Sequence, residues 1–284
     1  MPPPAADAPC PEQAFNATAL KWHTCAWLLL PVLVFLAGWM HWYAALPLTL
    51  LTAAGLAPRK RKEPQTRDSL PAFPLFTRSS FLALAAFAAL MALSGWGEWV
   101  NQHPDHIVRN ACLRELVASP WPVIFPDGNV LIYNTGFWLV PALAGKLAGL
   151  DAARMLVVLW GAWGLFLSWL WLCVFSGRRS LLLALLMAAF GSLLNLQCWL
   201  GLNLFRLHYF GTAEQIMCSA NASIPVLLFF IFLASGRMPL YWMPILFAAT
   251  AFYSPLAALG GLPLAACQWR RQWKGVLPLR DVLL

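Results

Sequence analysis

Between residues 96 and 122 the chain reads WGEWVNQHPDHIVRNACLRELVASPWP, gathering Glu98, His103, Asp105, His106, Arg109, Arg114 and Glu115 into one interval. Asp105 and Arg109 stand four apart, the spacing at which two side chains meet on one helix face, and His106 and Asn110 share it. A carboxylate that can take a proton from a hydroxyl, set beside a guanidinium that matches phosphate oxygens, suits transfer from a phosphate-linked donor to a hydroxyl. The same spacing also fits a plain helix start, with Asp105 capping the first turn and Arg109 in solvent. Glu98 follows an apolar stretch, from which it can face a water-filled cavity or reach the membrane interface. His103, Asp105 and His106 invite a metal reading, but a proline lies among them and no second ligand cluster accompanies them, so no metal site is expected. A second polar group, Arg206, His208, Tyr209 and Glu214, interrupts apolar sequence in NLFRLHYFGTAEQ. Ionisable groups near membrane depth are candidates for substrate contact, although an interfacial loop explains them as well.

The elements that must hold these groups are apolar. The chain is 61% hydrophobic and 11% charged, against roughly one-quarter charged in soluble domains. Apolar runs of near-spanning length recur, so the expected fold is all-α: a polytopic transmembrane helical bundle of about eight or nine spans. The net charge of +8 lies in short clusters between apolar runs, which is how topology signals are distributed, and gives no footprint for nucleic acid. Seven cysteines without a CxxC pair indicate neither a disulfide framework nor a zinc site.

Along the chain, residues 1–22 read as a disordered tail, and residues 23–57 as a transmembrane hairpin broken near Trp39, His41, Trp42 and Tyr43. Residues 58–79 form a basic loop in which Arg59, Lys60, Arg61, Lys62, Arg67 and Arg78 outnumber Glu63 and Asp68, and which therefore faces the cytoplasm. A core over 80–268 follows. Its first span, Ser80 to about Trp99, leaves the cytoplasm and delivers the loop 98–134 to the outside. There Ile107, Val108, Ala111, Cys112 and Leu116 make an apolar stripe opposite His106, Arg109, Asn110 and Arg114, which predicts an amphipathic helix on the outer membrane surface. Placing Arg178 and Arg179 in the cytoplasm breaks simple alternation unless YNTGFWLVPALAGKLAG is re-entrant. Residues 269–284, with Arg270, Arg271 and Lys274, read as a cytoplasmic end, in a chain that can be a fragment of a longer one.

A span, then the outer loop EWVNQHPDHIVRNACLRELVASPWPV, then LIYNTGFWLVPALAGKLAGL, with SANASIPVLL and FYSPLAALGGLPLA later, resembles bacterial membrane glycosyltransferases of the GT-C superfamily over about residues 80 to 268. The resemblance implies transfer of a sugar from a polyprenyl-phosphate carrier to an envelope glycan or lipid at the outer face of the bacterial cytoplasmic membrane. Asp105 matches the loop acid that would act as base, with Glu98 in reserve, and Arg109 or Arg206 would hold the carrier phosphate. His106, His208 and Glu214 complete the substrate-binding candidates. The loop has no Asp-x-Asp pair, so no metal or other cofactor is implied. A transporter or flippase, or a non-catalytic membrane protein, is the alternative reading.

Overall fold

The computed structural model describes residues 17–57, 77–100, 102–132, 134–190 and 211–274. Among these residues the fold is all helical, without strands. In the structure α1 runs over Ala17–Trp39 and α2 over Trp42–Leu56, broken at Met40 and His41 where polar and aromatic residues interrupt the first apolar block. α1 starts inside the stretch expected to be a tail, because Leu20 is fully buried and already belongs to the packed side of the helix.

Among the described residues three helices are long and apolar enough to cross a membrane: α1 over Thr18–Trp39, α6 over Leu150–Ser176 and α8 over Thr212–Ala234. α2, α3 (Arg78–Leu93), α5 (Gly136–Ala148) and a segment from Leu240 to Tyr253 are apolar but shorter. At about 1.5 Å rise per residue, a hydrocarbon core of roughly 30 Å takes about 20 residues. Among the described residues three helices meet that length and composition, against the eight or nine spans expected. The expected span from Ser80 to Trp99 stops as a helix at Leu93, since Gly95 and Gly97 take φ of 93° and 92° and turn the chain. The remaining helices are α4 (Pro104–Ala118), α7 (Leu181–Ala189), α9 (Met243–Tyr253, entered through a 3-10 turn at Leu240–Trp242), α10 (Pro255–Gly260) and α11 (Leu262–Lys274). The break expected near Tyr253, Ser254 and Pro255 separates α9 from α10, with Ser254 extended and proline opening the next helix.

α6 is the hub. The Trp27 indole of α1 donates to the Trp160 carbonyl at 3.1 Å, and the Trp171 indole donates to Thr24 Oγ1 at 2.8 Å. Tyr253 Oη donates to the Trp27 and Leu28 carbonyls, tying α9 to the middle of α1. Many large apolar side chains point outward, among them Leu51, Phe81, Leu147, Phe190 and Leu256. A soluble monomer does not expose apolar surface on this scale, and a lipid-facing one does.

The described acidic residues gather at one end of the bundle, where Arg109, Arg114, Lys146 and Arg154 also lie. Trp39 packs on Trp121 beyond the C-terminus of α4, while Trp22 packs on Trp242 before α9, so the two ends of α1 mark two ends of the bundle. Every acidic residue among the described ones, Glu98, Asp105, Glu115, Asp127, Asp151 and Glu214, belongs to the Trp39 end. Lys21, Arg78, Arg178, Arg179 and Arg237 belong to the other. Arg179 donates to Ser80 Oγ, which puts the SGRRS turn beside the start of α3.

That placement removes the conflict over alternation. Gly136, at the start of α5, lies against Phe252 and Tyr253, whose partners on α1 are Phe35 and the Trp27–Leu28 carbonyls, below the Trp39 end. α5 then climbs to Lys146, whose Nζ donates to the Ser119 carbonyl at 2.5 Å, next to the end of α4. The segment enters and leaves the bundle at the same end, so α6 can start at the acidic end and deliver Arg178 and Arg179 to the basic one.

Candidate functional site

The site is built where α4 lies on the start of α8. α8 is not one continuous helix: Ser219 has φ −152° and ψ 39°, a break in a run of small polar residues that compete for backbone hydrogen bonds, six residues before Pro225. Side chains then meet the carbonyls just before the break. The Trp96 indole donates to the Ile216 carbonyl at 2.8 Å, and His106 Nε2 donates to the Met217 carbonyl at 2.9 Å. Ser223 Oγ lies 3.1 Å from the Gln215 carbonyl and 2.7 Å from that of Ser219. Trp96 reaches this point because Gly95 and Gly97, both left-handed, leave the indole between them turned inward.

α4 forms where the spacing predicts it, but two of its details differ. Its N-cap is His103, whose Nδ1 accepts from the Asp105 amide at 3.3 Å, with Pro104 first in the helix, so Asp105 is not the cap. The helix is also turned about its axis relative to the expected stripe. His106, Arg109, Cys112, Leu113 and Leu116 are buried, while Ile107 and Val108 are exposed. The reason is the docking surface: unmet carbonyls and a hydroxyl on α8 take the polar side chains inward, where a purely apolar face would leave them unpaired. His106 and Asn110, expected to meet, do not; the Asn110 amide donates to Gln102 Oε1 at 2.7 Å.

His106 is 1% exposed, and burial first of all holds its pKa below the ordinary 6.5. A neutral ring fits both of its bonds, since Nε2–H donates to Met217 while Nδ1 accepts from the His103 amide at 3.3 Å. Replacing it by leucine, His106→Leu, strips partners from a buried carbonyl and a cap amide. We expect a loss of about 1–3 kcal/mol of stability, measured by thermal unfolding of the purified chain. An unchanged midpoint would show that the ring only fills space.

Arg109 and Asp105 come together as their spacing predicts, 3.6 Å apart between Nη2 and Oδ2. Their surroundings are unequal: the Asp105 side chain is 51% exposed and that of Arg109 8%. Arg109 Nη2 donates to Ser219 Oγ at 3.3 Å, and its guanidinium carbon lies 5.8 Å from the centre of the Trp96 ring. Its Nε and Nη1 are buried without a hydrogen-bond partner among the described residues. A buried cation with unspent donors beside an accessible carboxylate can take an anion while a proton moves nearby.

Glu98 has another place. It sits at φ 68°, a left-handed conformation that costs a non-glycine residue of order 1–3 kcal/mol. Its Oε2 accepts from Arg114 of α4 and Arg154 of α6, and Arg154 also donates to Asp151 at 2.9 Å. The carboxylate is a clasp between α4 and α6 rather than a base standing over open water. Glu214 Oε2 accepts from the Gly211 amide at 3.1 Å and closes the first turn of α8. Arg206, His208 and Tyr209 lie outside the described residues.

No family model, curated protein or solved structure matches this chain. The site therefore speaks through its own geometry. Trp96, Cys218 and Ser219 are the members that spacing misses. Trp96 reads as one interfacial tryptophan among sixteen, and Cys218 as a small hydrophobe in an apolar run. The one available signal is the small polar run SANAS, which interrupts a helix long enough to span. The other thiol nearby, Cys112 of α4, is buried and pushed up to about 12 by desolvation, which leaves it an inert packing group.

Proposed function

We propose that the chain is an integral membrane glycosyltransferase of the GT-C type in the bacterial cytoplasmic membrane. It transfers a sugar from a polyprenyl-phosphate carrier to a hydroxyl of an envelope glycan or lipid. In this reading α1, α6 and α8, the shorter apolar segments α2, α3 and Leu240–Tyr253, and the apolar sequence that begins with α7 make up about seven spans, with α5 re-entrant. The basic end of the bundle faces the cytoplasm and the acidic end faces outward, by the positive-inside rule.

The observation that carries the proposal is the pairing of a half-exposed Asp105 carboxylate with a buried Arg109, 3.6 Å apart, at the acidic end. Asp105 takes the proton of the acceptor hydroxyl as its oxygen forms the new bond to the anomeric carbon. The carbon–oxygen bond to the carrier phosphate breaks, the phosphate leaves with the electron pair, and Arg109 meets the charge it carries away. The exposed Ile107 and Val108, within the same turn of α4, offer apolar contact to the prenyl chain.

Two interrupted helices, α8 at Ser219 and α9–α10 at Ser254, favour a second reading as a transporter for a lipid-linked or small polar substrate. Against it, the described acidic groups gather at one end rather than at mid-depth. The two readings part in proteoliposomes holding the full chain and a labelled polyprenyl-phosphate sugar. Transfer to an acceptor lipid or glycan supports the enzyme. Movement of the donor across the bilayer without transfer overturns it.

A further inference from the structure

His103, Asp105 and Cys218 each turn one ligand-type atom to a common point, all within 4.8 Å of one another. Two of them stand at the start of α4 and the third on the residue before the α8 break. We propose that this cluster is a binding site for a divalent zinc-type cation, held by imidazole, carboxylate and thiolate, with its fourth position open to the outside. The proposal does not rest on the transferase reading; it concerns the binding of an ion.

The chemistry of the three atoms is what such an ion selects. Zinc takes exactly this mixture of nitrogen, oxygen and sulfur, while a hard cation such as magnesium asks for oxygens alone. Bonds of about 2.0–2.3 Å put neighbouring ligand atoms of a tetrahedral ion roughly 3.3–3.7 Å apart. His103 Nδ1 and Asp105 Oδ2 already lie 3.6 Å apart; an ion at Nδ1 takes the place of its 3.3 Å bond from the exposed Asp105 amide, and the thiol, within 4.8 Å, has the remaining distance to close.

The two segments are fixed in register by the residues on either side of the cysteine. Met217 bonds to His106 and Ser219 bonds to Arg109, so Cys218 between them is held opposite the first turn of α4. The break at Ser219 is what allows this. His106, which the sequence offers as a ligand beside His103, is excluded because it is buried with both ring nitrogens bonded, whereas the half-exposed His103 holds only a cap amide. Arg109 works against a cation, being 3.6 Å from Asp105. Thiolate and carboxylate together balance a divalent ion, and Arg109 then leaves the site with a surplus positive charge that favours an anion at the fourth position. Three protein ligands and one open position are the arrangement of a working rather than a structural zinc.

The rival account of the cluster is an N-cap His103 with Asp105 beside it and Cys218 a bystander, and it binds no ion. The test uses the full chain purified in detergent, stripped with a chelator and titrated with zinc, and separately with cobalt as a spectroscopic probe. We expect one ion per chain, a thiolate-to-cobalt charge-transfer absorption, and a zinc-dependent rise in the unfolding midpoint. Cys218→Ala removes the absorption and weakens binding at least roughly tenfold, as loss of a ligand should exceed the effect of losing a supporting group. His103→Asn weakens binding likewise while keeping a good N-cap, so its loss is not a loss of fold. Cys267→Ala, at an exposed thiol elsewhere, changes neither. Absence of bound zinc in the wild-type chain, or an absorption that survives Cys218→Ala, overturns the proposal.

Discussion

Asp105→Asn lowers the rate of sugar transfer by about a hundred- to ten-thousand-fold, the range that a positioned general base contributes. The substitution is nearly isosteric and removes the carboxylate that accepts the proton, and the assay uses chelator-stripped protein so that loss of an ion ligand is not what it reads. The substitution also leaves the fold in place, for reasons the geometry supplies. The cap of α4 is His103, so the helix start does not depend on the Asp105 side chain. The pair with Arg109 is half in solvent at 3.6 Å, and such pairs contribute about 0.3–0.5 kcal/mol. The carboxylate in the first turn adds about 0.3–1 kcal/mol through the helix dipole. Arg109 keeps its bond to Ser219 and its place over Trp96 in the variant. Loss of transfer at normal expression and normal unfolding midpoint is therefore an effect on chemistry. Wild-type rates in Asp105→Asn would remove this residue from the mechanism and, with Glu98 engaged by two arginines, leave the proposed transferase without a base in this loop.

Local pattern and distant partners contribute differently to the site. The periodicity of residues 105–117 and the proline before them make α4 legible, and the pairing of Asp105 with Arg109 follows from spacing alone. Which face turns inward does not follow. Counting apolar residues puts Ile107 and Val108 inside, yet they are 71% and 57% exposed while His106 is 1% exposed. Periodicity assumes an apolar partner, whereas α4 docks on carbonyls and a hydroxyl freed by a break more than a hundred residues away. The same break decides the role of Cys218, which no local pattern separates from the other cysteines of apolar runs. Topology shows the converse. The charge clusters already sort the loops, and the one conflict among them, the SGRRS turn, disappears because α5 is short and returns to the end it entered. Hydropathy counts apolar residues, not the depth that they reach.

Gly164→Val lowers the stability of the purified chain by about 1–3 kcal/mol, the usual cost of forcing added volume into a packed contact. All three helices that are long enough to span meet at this glycine. A Cβ built there would stand 2.6 Å from Ile224 Cγ2 of α8 and 2.7 Å from Trp27 Cζ2 of α1. Neither neighbour yields easily. Trp27 is stacked on Trp160 with ring centres 5.1 Å apart and donates to the Trp160 carbonyl, and Ile224 is fully buried. Gly161, one turn earlier, meets the end of Met91, a flexible side chain that can swing aside, so substitution there is milder. Replacing a glycine inside a helix recovers at most about 1 kcal/mol of helix propensity. At Gly164 the clash outweighs that gain. Between helices in lipid the hydrophobic effect gives little net attraction, and close backbone approach over small residues supplies much of the association. Gly260→Ala provides the control, since nothing lies within 4 Å of a Cβ at that position, and its effect should stay within about 0.5 kcal/mol. The measurement is the unfolding midpoint of each variant in detergent, followed by near-ultraviolet dichroism of the buried tryptophans. Equal midpoints for Gly164→Val and Gly260→Ala would mean that α1, α6 and α8 do not pack at the distance described, and that the break at Ser219 is not held against α4 by this crossing.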